Sequence, residues 1–157
     1  MRVLILSRGR SKIITTHRLM PFATLCVPES EVEEYKWTGN EIEPVPDDIV
    51  GLGPLRNWCL EHFDEECIIM ADDDIKKVWV NVGKEGRAIY SPEIIQQILF
   101  NTAEVAYDVG ARCFGFAQFW DVRKYKQPFS LADWVGGVIG VIGKDIKFDE
   151  TKKYRLM

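Results

Sequence analysis

Histidine is nearly missing from this chain of 157 residues: only His17 and His62 occur. That scarcity argues against a histidine-rich metal site or a Ser-His-Asp triad. Cysteine is sparse as well. Cys26, Cys59, Cys67 and Cys113 are scattered, form no CxxC pair and each lie in an apolar run. They read as buried free thiols in a reducing cytosol rather than disulfides or zinc ligands. No apolar stretch is long enough to span a membrane, and the apolar start, interrupted at Ser7, is too short for a signal peptide. A basic excess is also lacking. The formal net charge is -4, so bulk electrostatics do not hold this chain to nucleic acid, although a local basic patch remains compatible with that balance.

What is present is a globular composition, 46% hydrophobic and 28% charged, which excludes disorder and fits one domain over residues 1–157. Charge is unevenly spread. Arg2, Arg8, Arg10, Lys12 and Arg18 crowd the start with no acid between them, and Glu29 to Asp48 is acidic apart from Lys36.

The run Cys67-Ile68-Ile69-Met70-Ala71-Asp72-Asp73-Asp74 carries the most information. Its apolar part reads as a buried strand of a parallel sheet, with three aspartates where the strand ends. Like charges so close together are tolerated mainly at a solvent-open edge or around a cation. Ligands bind at the carboxyl ends of strands in open α/β sheets. Hard carboxylate oxygens suit Mg²⁺ or Mn²⁺ carrying a phosphorylated substrate.

The rest of the pattern alternates strands and helices. Val3–Leu6 is a strand ending in the loop Ser7-Arg8-Gly9-Arg10, after which Ser11 caps a helix from Lys12 to Leu19. Ala23–Val27 and Glu41–Val45 are further strands, separated by a brief helix over Glu29–Trp37. Gly51-Leu52-Gly53-Pro54 opens a helix with Leu55, Trp58, Cys59 and Phe63 on its apolar stripe. Val78–Val80 is a small strand followed by a turn at Gly83–Gly86. Ser91-Pro92 starts the clearest helix, which Gly110 stops. Cys113–Trp120 and Val138–Ile142 complete the strands. Such alternation predicts an α/β fold with parallel strands at its heart. The Ser7–Arg10 loop, the Gly51–Asn57 helix start and Asp72–Asp74 then share one sheet edge, bringing together glycine for close approach, arginine for phosphate and acid for a metal.

These three segments, in this order, resemble a GT-A glycosyltransferase, and within that fold the phage TET-associated glycosyltransferases, thought to decorate hydroxymethylated pyrimidines in DNA. The likeness covers nearly the whole chain, with Trp134-Val135-Gly136-Gly137 and Phe148-Asp149-Glu150 as later landmarks. It implies a GT-A-like (Rossmann-like), mostly parallel central sheet flanked by helices. Ser7, Arg8, Gly9 and Arg10 would line the donor pocket. Arg56 would reach the diphosphate or donor sugar, and Asn57 would fix the helix start or ribose. Asp72 would touch the ribose or metal-bound water and Asp74 would hold Mn²⁺ or Mg²⁺ through the diphosphate, with Asp73 beside the donor. Asp72 and Asp74 point to one face if strand geometry persists, which favours the outer pair for the metal. Trp134, Gly136 and Gly137 would lie on the sugar or acceptor side. The partners implied are a nucleotide-sugar donor, UDP-linked by preference, and DNA as acceptor, in the cytoplasm of a phage-infected host cell, without a membrane.

The chain departs from the GT-A pattern in two ways: no acidic motif follows the FDE-like segment, and no late histidine is available for the metal. Either the usual C-terminal part is lacking, or Asp133, Asp149 or Glu150 supplies the base. Glycines at 136, 137, 140 and 143 mark a close approach of ligand or backbone, or a core strand with bulges. Trp120, Phe119, Trp134 and Tyr125 read as sugar- or base-stacking groups or as core, and Arg123, Lys124 and Lys126 as a phosphate-facing cluster or solvated surface. Two rivals stand beside a glycosyltransferase. A nucleotidyltransferase needs the same sheet and acids but a longer glycine-rich loop than Ser7–Ser11 offers. A non-catalytic nucleotide-binding or assembly module on a GT-A core is the other.

Overall fold

The structure is a computed structural model and describes residues 1–82, 85–117, 130 and 135–150. The strand Arg2–Leu6, apolar from Val3 on, forms β1, which lies between β2 (Thr24–Pro28) and β4 (Cys67–Asp72), parallel to both. β3 (Ile42–Val45) adds a parallel edge beyond β2. On the other side β8 (Val138–Ile142) runs antiparallel to β4, and β7 (Cys113–Gly115) runs antiparallel to β8. The sheet order is therefore β3-β2-β1-β4-β8-β7, the mostly parallel α/β sheet that the alternating pattern predicts. A separate antiparallel ribbon, β5 (Val78–Val82) and β6 (Glu85–Ile89), follows β4 in the chain.

Both faces of the sheet are covered, which is why its central strands read as unbroken apolar runs rather than alternating ones. Val3 and Ile5, Leu25 and Val27, and Ile69 and Ala71 point to one face. There they meet Ile95, Leu99, Ala103 and Ala106 of α3 (Pro92–Asp108). Leu4 and Leu6, Cys26, Ile68 and Met70, with Val141 of β8, line the other, against Cys59 and Leu60 of α2 (Leu52–His62) and Phe63. Truncating a fully buried member such as Leu4 or Ile69 to alanine would cost about 2–5 kcal/mol.

The helices obey their sequence signals. Ser91 caps α3 by accepting from Ile94 N, Pro92 occupies the first turn, and Gly110 (φ 73°) takes the left-handed turn that ends it. At α2, Gly51 (φ 106°) occupies the cap position, where its backbone conformation rather than a side-chain cap redirects the chain. Gly53 has a different reason. A Cβ there would overlap the carbonyl oxygen of Asp149, so only glycine lets the 148–150 segment lie on α2.

Several expectations change. Lys12–Leu19 is not a capped helix but a turn followed by a 3-10 segment at Thr16–Arg18. The β-branched run Ile13-Ile14-Thr15-Thr16 is a poor helix former, and the Ser11 hydroxyl bonds Glu34 instead of capping. Glu29–Trp37 is split into 3-10 segments at Glu29–Glu31 and Lys36–Thr38 around α1 (Val32–Tyr35). Glu85 and Gly86 belong to β6 rather than a turn, while 83–84 lie outside the described residues. Of the strand expected at Cys113–Trp120, Cys113–Gly115 is seen and residues 118–120 are not described. Cys26 and Cys59 are buried free thiols as expected, but Cys67 is half-buried and Cys113 is exposed on the edge strand. Gly140 is explained by packing: Phe114, its cross-strand partner, lies where a Cβ would be. No helix among the described residues is long and apolar enough to cross a membrane.

Candidate functional site

Register builds the site. Leu6 of β1 pairs with Asp72 of β4 in parallel, so the next residues, Ser7 and Asp73, leave the sheet side by side. Ser7 Oγ donates to Asp73 Oδ2 at 2.5 Å. Tyr35 Oη lies 2.8 Å from Ser7 Oγ and accepts from Arg10 N at 3.0 Å. Each hydroxyl has one proton, and that of Ser7 is committed to the carboxylate. The chain of donation therefore runs from Arg10 N–H to Tyr35, to Ser7, to Asp73. Tyr35 is fully buried, and that burial pushes its phenol pKa up despite these bonds. Asp73 is also buried. Burial raises its carboxyl pKa, while the Ser7 bond and Arg10, whose Nη1 is 3.3 Å away, oppose the rise.

The two flanking carboxylates are more open. The Asp72 side chain is 41% exposed and that of Asp74 54%, against 5% for Asp73. The outer pair thus faces solvent while the middle acid is used internally. Asp72 is pushed above the usual carboxylate range, first by burial, with Asp74 and Asp73 adding to the rise against Arg56's opposing pull. Arg10 Nη2 reaches Asp74 at 3.2 Å, and Arg56 Nη2 stands 4.0 Å from Asp72.

The acidic turn is held from behind by residues to which the sequence pattern assigns no site role. Thr16 Oγ1 donates to Asp72 O at 2.7 Å and accepts from Ile75 N at 2.9 Å. The backbone N–H groups of Thr15 and Thr16 both donate to Asp73 O. On the strand side, Asp72 N donates to Gly137 O at 2.7 Å. Gly136 and Gly137 therefore sit against the acidic turn. A threonine pair that spoils a helix pattern was the available signal for this latch; Tyr35 offered none, since its role depends on a contact 28 residues away.

The remaining expected residues divide. Arg8 reaches the carbonyls of Asp47 and Ile49 at 3.1 Å, and Gly9 N donates to Glu31 Oε2. Arg56 is 17% exposed, lies 5.3 Å from the centroid of the Phe148 ring, and has its pKa lowered by burial. Asn57 clamps the chain's later segment: its Oδ1 accepts from Phe148 N, and its Nδ2 donates to Phe148 O and to Glu150 Oε1. Both ends of that amide are spent on the 148–150 segment. Asp149 and Glu150 are thereby docked on the start of α2, both exposed. Asp133, Trp134, Phe119, Trp120, Arg123, Lys124, Tyr125 and Lys126 lie outside the described residues.

Among the described residues no three histidine, cysteine or acidic side chains converge as a ready-made metal cage. Mg²⁺-type sites seldom need one. They use one or two carboxylates and complete the shell with water and substrate phosphates. Asp72 and Asp74 fit that partial donor set. A second observation agrees: the Nε atoms of Arg10 and Arg56 are buried without a hydrogen-bond partner in the described structure. Two cationic groups with unused donors beside two open carboxylates can receive an anion and a cation together.

A model of the TET-Associated Glycosyltransferase family matches residues 1–149. Among solved structures, mannosyl-3-phosphoglycerate synthase from Rubrobacter xylanophilus aligns with a TM-score of 0.47 and 13% identity, over 90% of this chain and 53% of that one. The chain thus spans about half the length of that enzyme. A Bacillus anthracis protein assigned as a glucose-1-phosphate thymidylyltransferase, in complex with a sucrose, aligns at 0.40 and 11% identity, over 90% and 71% of the two chains. No curated protein matches.

Proposed function

The chain belongs to the TET-associated glycosyltransferase family, and from that premise we propose that it moves a hexose from a nucleotide-diphosphate sugar, UDP-linked by preference, to an acceptor hydroxyl. The acceptor we propose is a hydroxymethylated pyrimidine of phage DNA, in the cytoplasm of an infected cell. The observation that carries this reading is the pair of open carboxylates, Asp72 and Asp74, flanked by Arg10 and Arg56 at one sheet edge. In this reading Asp72 and Asp74 hold Mn²⁺ or Mg²⁺, which neutralises the departing diphosphate when bound. Arg10 exchanges Asp74 for a phosphate oxygen, and Arg56 turns its unused donor toward the diphosphate. Ser7, Arg8 and Gly9 shape the floor under the nucleoside, with Asp73 fixing Ser7. Gly136 and Gly137 leave room beside the sugar.

The acceptor oxygen attacks the anomeric carbon, the bond from that carbon to the diphosphate breaks, and the hydroxyl proton passes to a carboxylate. Asp149, Glu150 and Asp133 are the candidates for that base. Incubating the protein with UDP-glucose, Mn²⁺ and a duplex containing hydroxymethylcytosine should add one hexose per modified base, read by mass spectrometry of the nucleosides. Pyrophosphate release from a nucleoside triphosphate and a sugar phosphate, without hexose transfer, would point instead to a nucleotidyltransferase. Binding of UDP with no turnover on any hydroxylated acceptor would point to a non-catalytic module.

A further inference from the structure

In a chain of net charge -4, residues 75–90 carry four basic side chains, Lys76, Lys77, Lys84 and Arg87, against the single acid Glu85. This segment holds the β5–β6 ribbon, which stands apart from the six-stranded sheet. Its root is anchored beside the acidic turn. Ile75, Val78 and Ile89 pack on the core, and Ile75 is bonded through both its N–H and its carbonyl to the Thr15–Thr16 pair. Lys76, Lys77 and Arg87 are exposed. Trp79 is 48% exposed and its neighbour Val80 38%, so the ribbon presents apolar surface to solvent. Its indole lies over Gly86, where a Cβ would make close contact, and Lys77 Nζ is 5.8 Å from the ring centroid.

Strand alternation and the pairing register distribute these groups over both faces. Trp79 pairs with Ala88, on the face that also carries Gly86, while Val80 and Arg87 pair on the opposite face. A membrane-binding surface needs one apolar face laid on the lipid, and this ribbon has cations and apolar groups on both. A two-stranded ribbon with cationic sides does suit one partner: the B-DNA major groove admits such an element, with phosphates along both walls. The base carbon that bears thymine's methyl also faces that groove, so a hydroxymethyl there would be presented on the same side.

We propose that the β5–β6 ribbon is a duplex-DNA docking element that enters the major groove and brings the acceptor base to the acidic edge, a proposal that rests on the reading of the acceptor as DNA. Lys76, Lys77 and Arg87 meet phosphates, and Trp79 supplies apolar contact to base edges or sugars.

The test is fluorescence anisotropy of a labelled, unmodified DNA duplex across a salt series, with the full chain and two variants. Replacing Lys76, Lys77 and Arg87 by glutamine should weaken binding by at least tenfold at low salt. It should also flatten the slope of log affinity against log salt by about two to three, close to one for each phosphate no longer neutralised. Trp79→Ala should weaken binding severalfold with the salt slope unchanged. The major-groove ligand methyl green should compete, and the minor-groove ligand netropsin should not. Calorimetry of UDP with Mn²⁺ should give the same affinity for wild type and the triple variant, which also shows that the variant is folded. Equal duplex affinity and slope in wild type and triple variant would overturn the proposal. So would competition by netropsin alone, or tighter binding to vesicles of anionic phospholipid than to duplex. If UDP fails to bind the wild type while duplex binding still depends on the ribbon, the donor reading falls and the docking element stands.

Discussion

The three consecutive aspartates do different work, and single substitutions separate them. Asp74 is half-exposed and sits among like charges, so Asp74→Asn should leave stability within about 0.5 kcal/mol of wild type, since the relief of repulsion offsets the loss of the Arg10 pair. Metal-dependent nucleotide binding should nevertheless be lost, and calorimetry beside a chemical melt reads both. Asp73→Ala should do the reverse in stability. It strips the buried Ser7 hydroxyl of its carboxylate acceptor and leaves Arg10 with Asp74 as its one remaining carboxylate partner among the described residues, a loss of about 1–3 kcal/mol visible as a lower urea midpoint.

His17 makes a pH prediction at the same scale. It is buried edge-on against Trp37, its Nδ1 has no hydrogen-bond partner among the described residues, and burial followed by Arg18 lowers its pKa below 6.5 against the opposing effect of the Ile14 backbone. The unfolded chain therefore binds a proton before the folded one does. Stability should fall as pH drops from about 6.5 toward the depressed folded value. His17→Phe keeps the ring contact and removes the titration, so urea midpoints at about pH 5.5 and 7.5 should draw closer together than in wild type.

Two connecting pieces decide whether the site keeps its shape. Thr16→Val preserves volume but deletes the hydroxyl that ties Asp72 O to Ile75 N. It should cost about 1–3 kcal/mol and weaken Mn²⁺-dependent nucleotide binding as well, whereas a purely structural threonine would move only the first quantity. Gly53→Ala tests the other piece. Alanine favours α2 by about 1 kcal/mol, yet its methyl occupies the space of the Asp149 carbonyl. The helix should persist while residues 148–150 lose their hold on Asn57, seen as faster amide exchange at Phe148 N.

Elements were also where the sequence was most and least informative. β1, β4 and α3 were legible because unbroken apolar runs and a Ser-Pro start with a glycine stop are strong local signals. The 12–19 segment looks helical because Ser11 resembles a cap, while the decisive partners of Thr15 and Thr16 lie nearly 60 residues downstream. The antiparallel sense of β8 had no local signal either, since a buried strand reads the same in both directions.

Across the whole molecule, the parallel register of β1 and β4 accounts for the meeting of Ser7 with Asp73, and the carboxyl edge for the meeting of Arg56 with Asp72. Topology alone brought those segments together, as their order in the sequence implied. What each side chain does there was less legible. The sequence points to a helix start or a ribose for Asn57 and to the donor for Asp73; the bonds of Asn57 to Phe148 and Glu150, and of Asp73 to Ser7 and Arg10, have no sequence signal. Those roles depend on distances between segments up to 93 residues apart, which no spacing rule supplies.

The central claim is that Asp72 and Asp74 join a divalent cation to a nucleoside diphosphate. Calorimetric titration of UDP and of GDP into the protein, with and without Mn²⁺, tests it most directly. The account predicts binding of one nucleotide, UDP by preference, at least tenfold tighter with Mn²⁺ and abolished in Asp74→Asn. Equal nucleotide affinity with and without the metal, or none for either nucleotide in its presence, would contradict it.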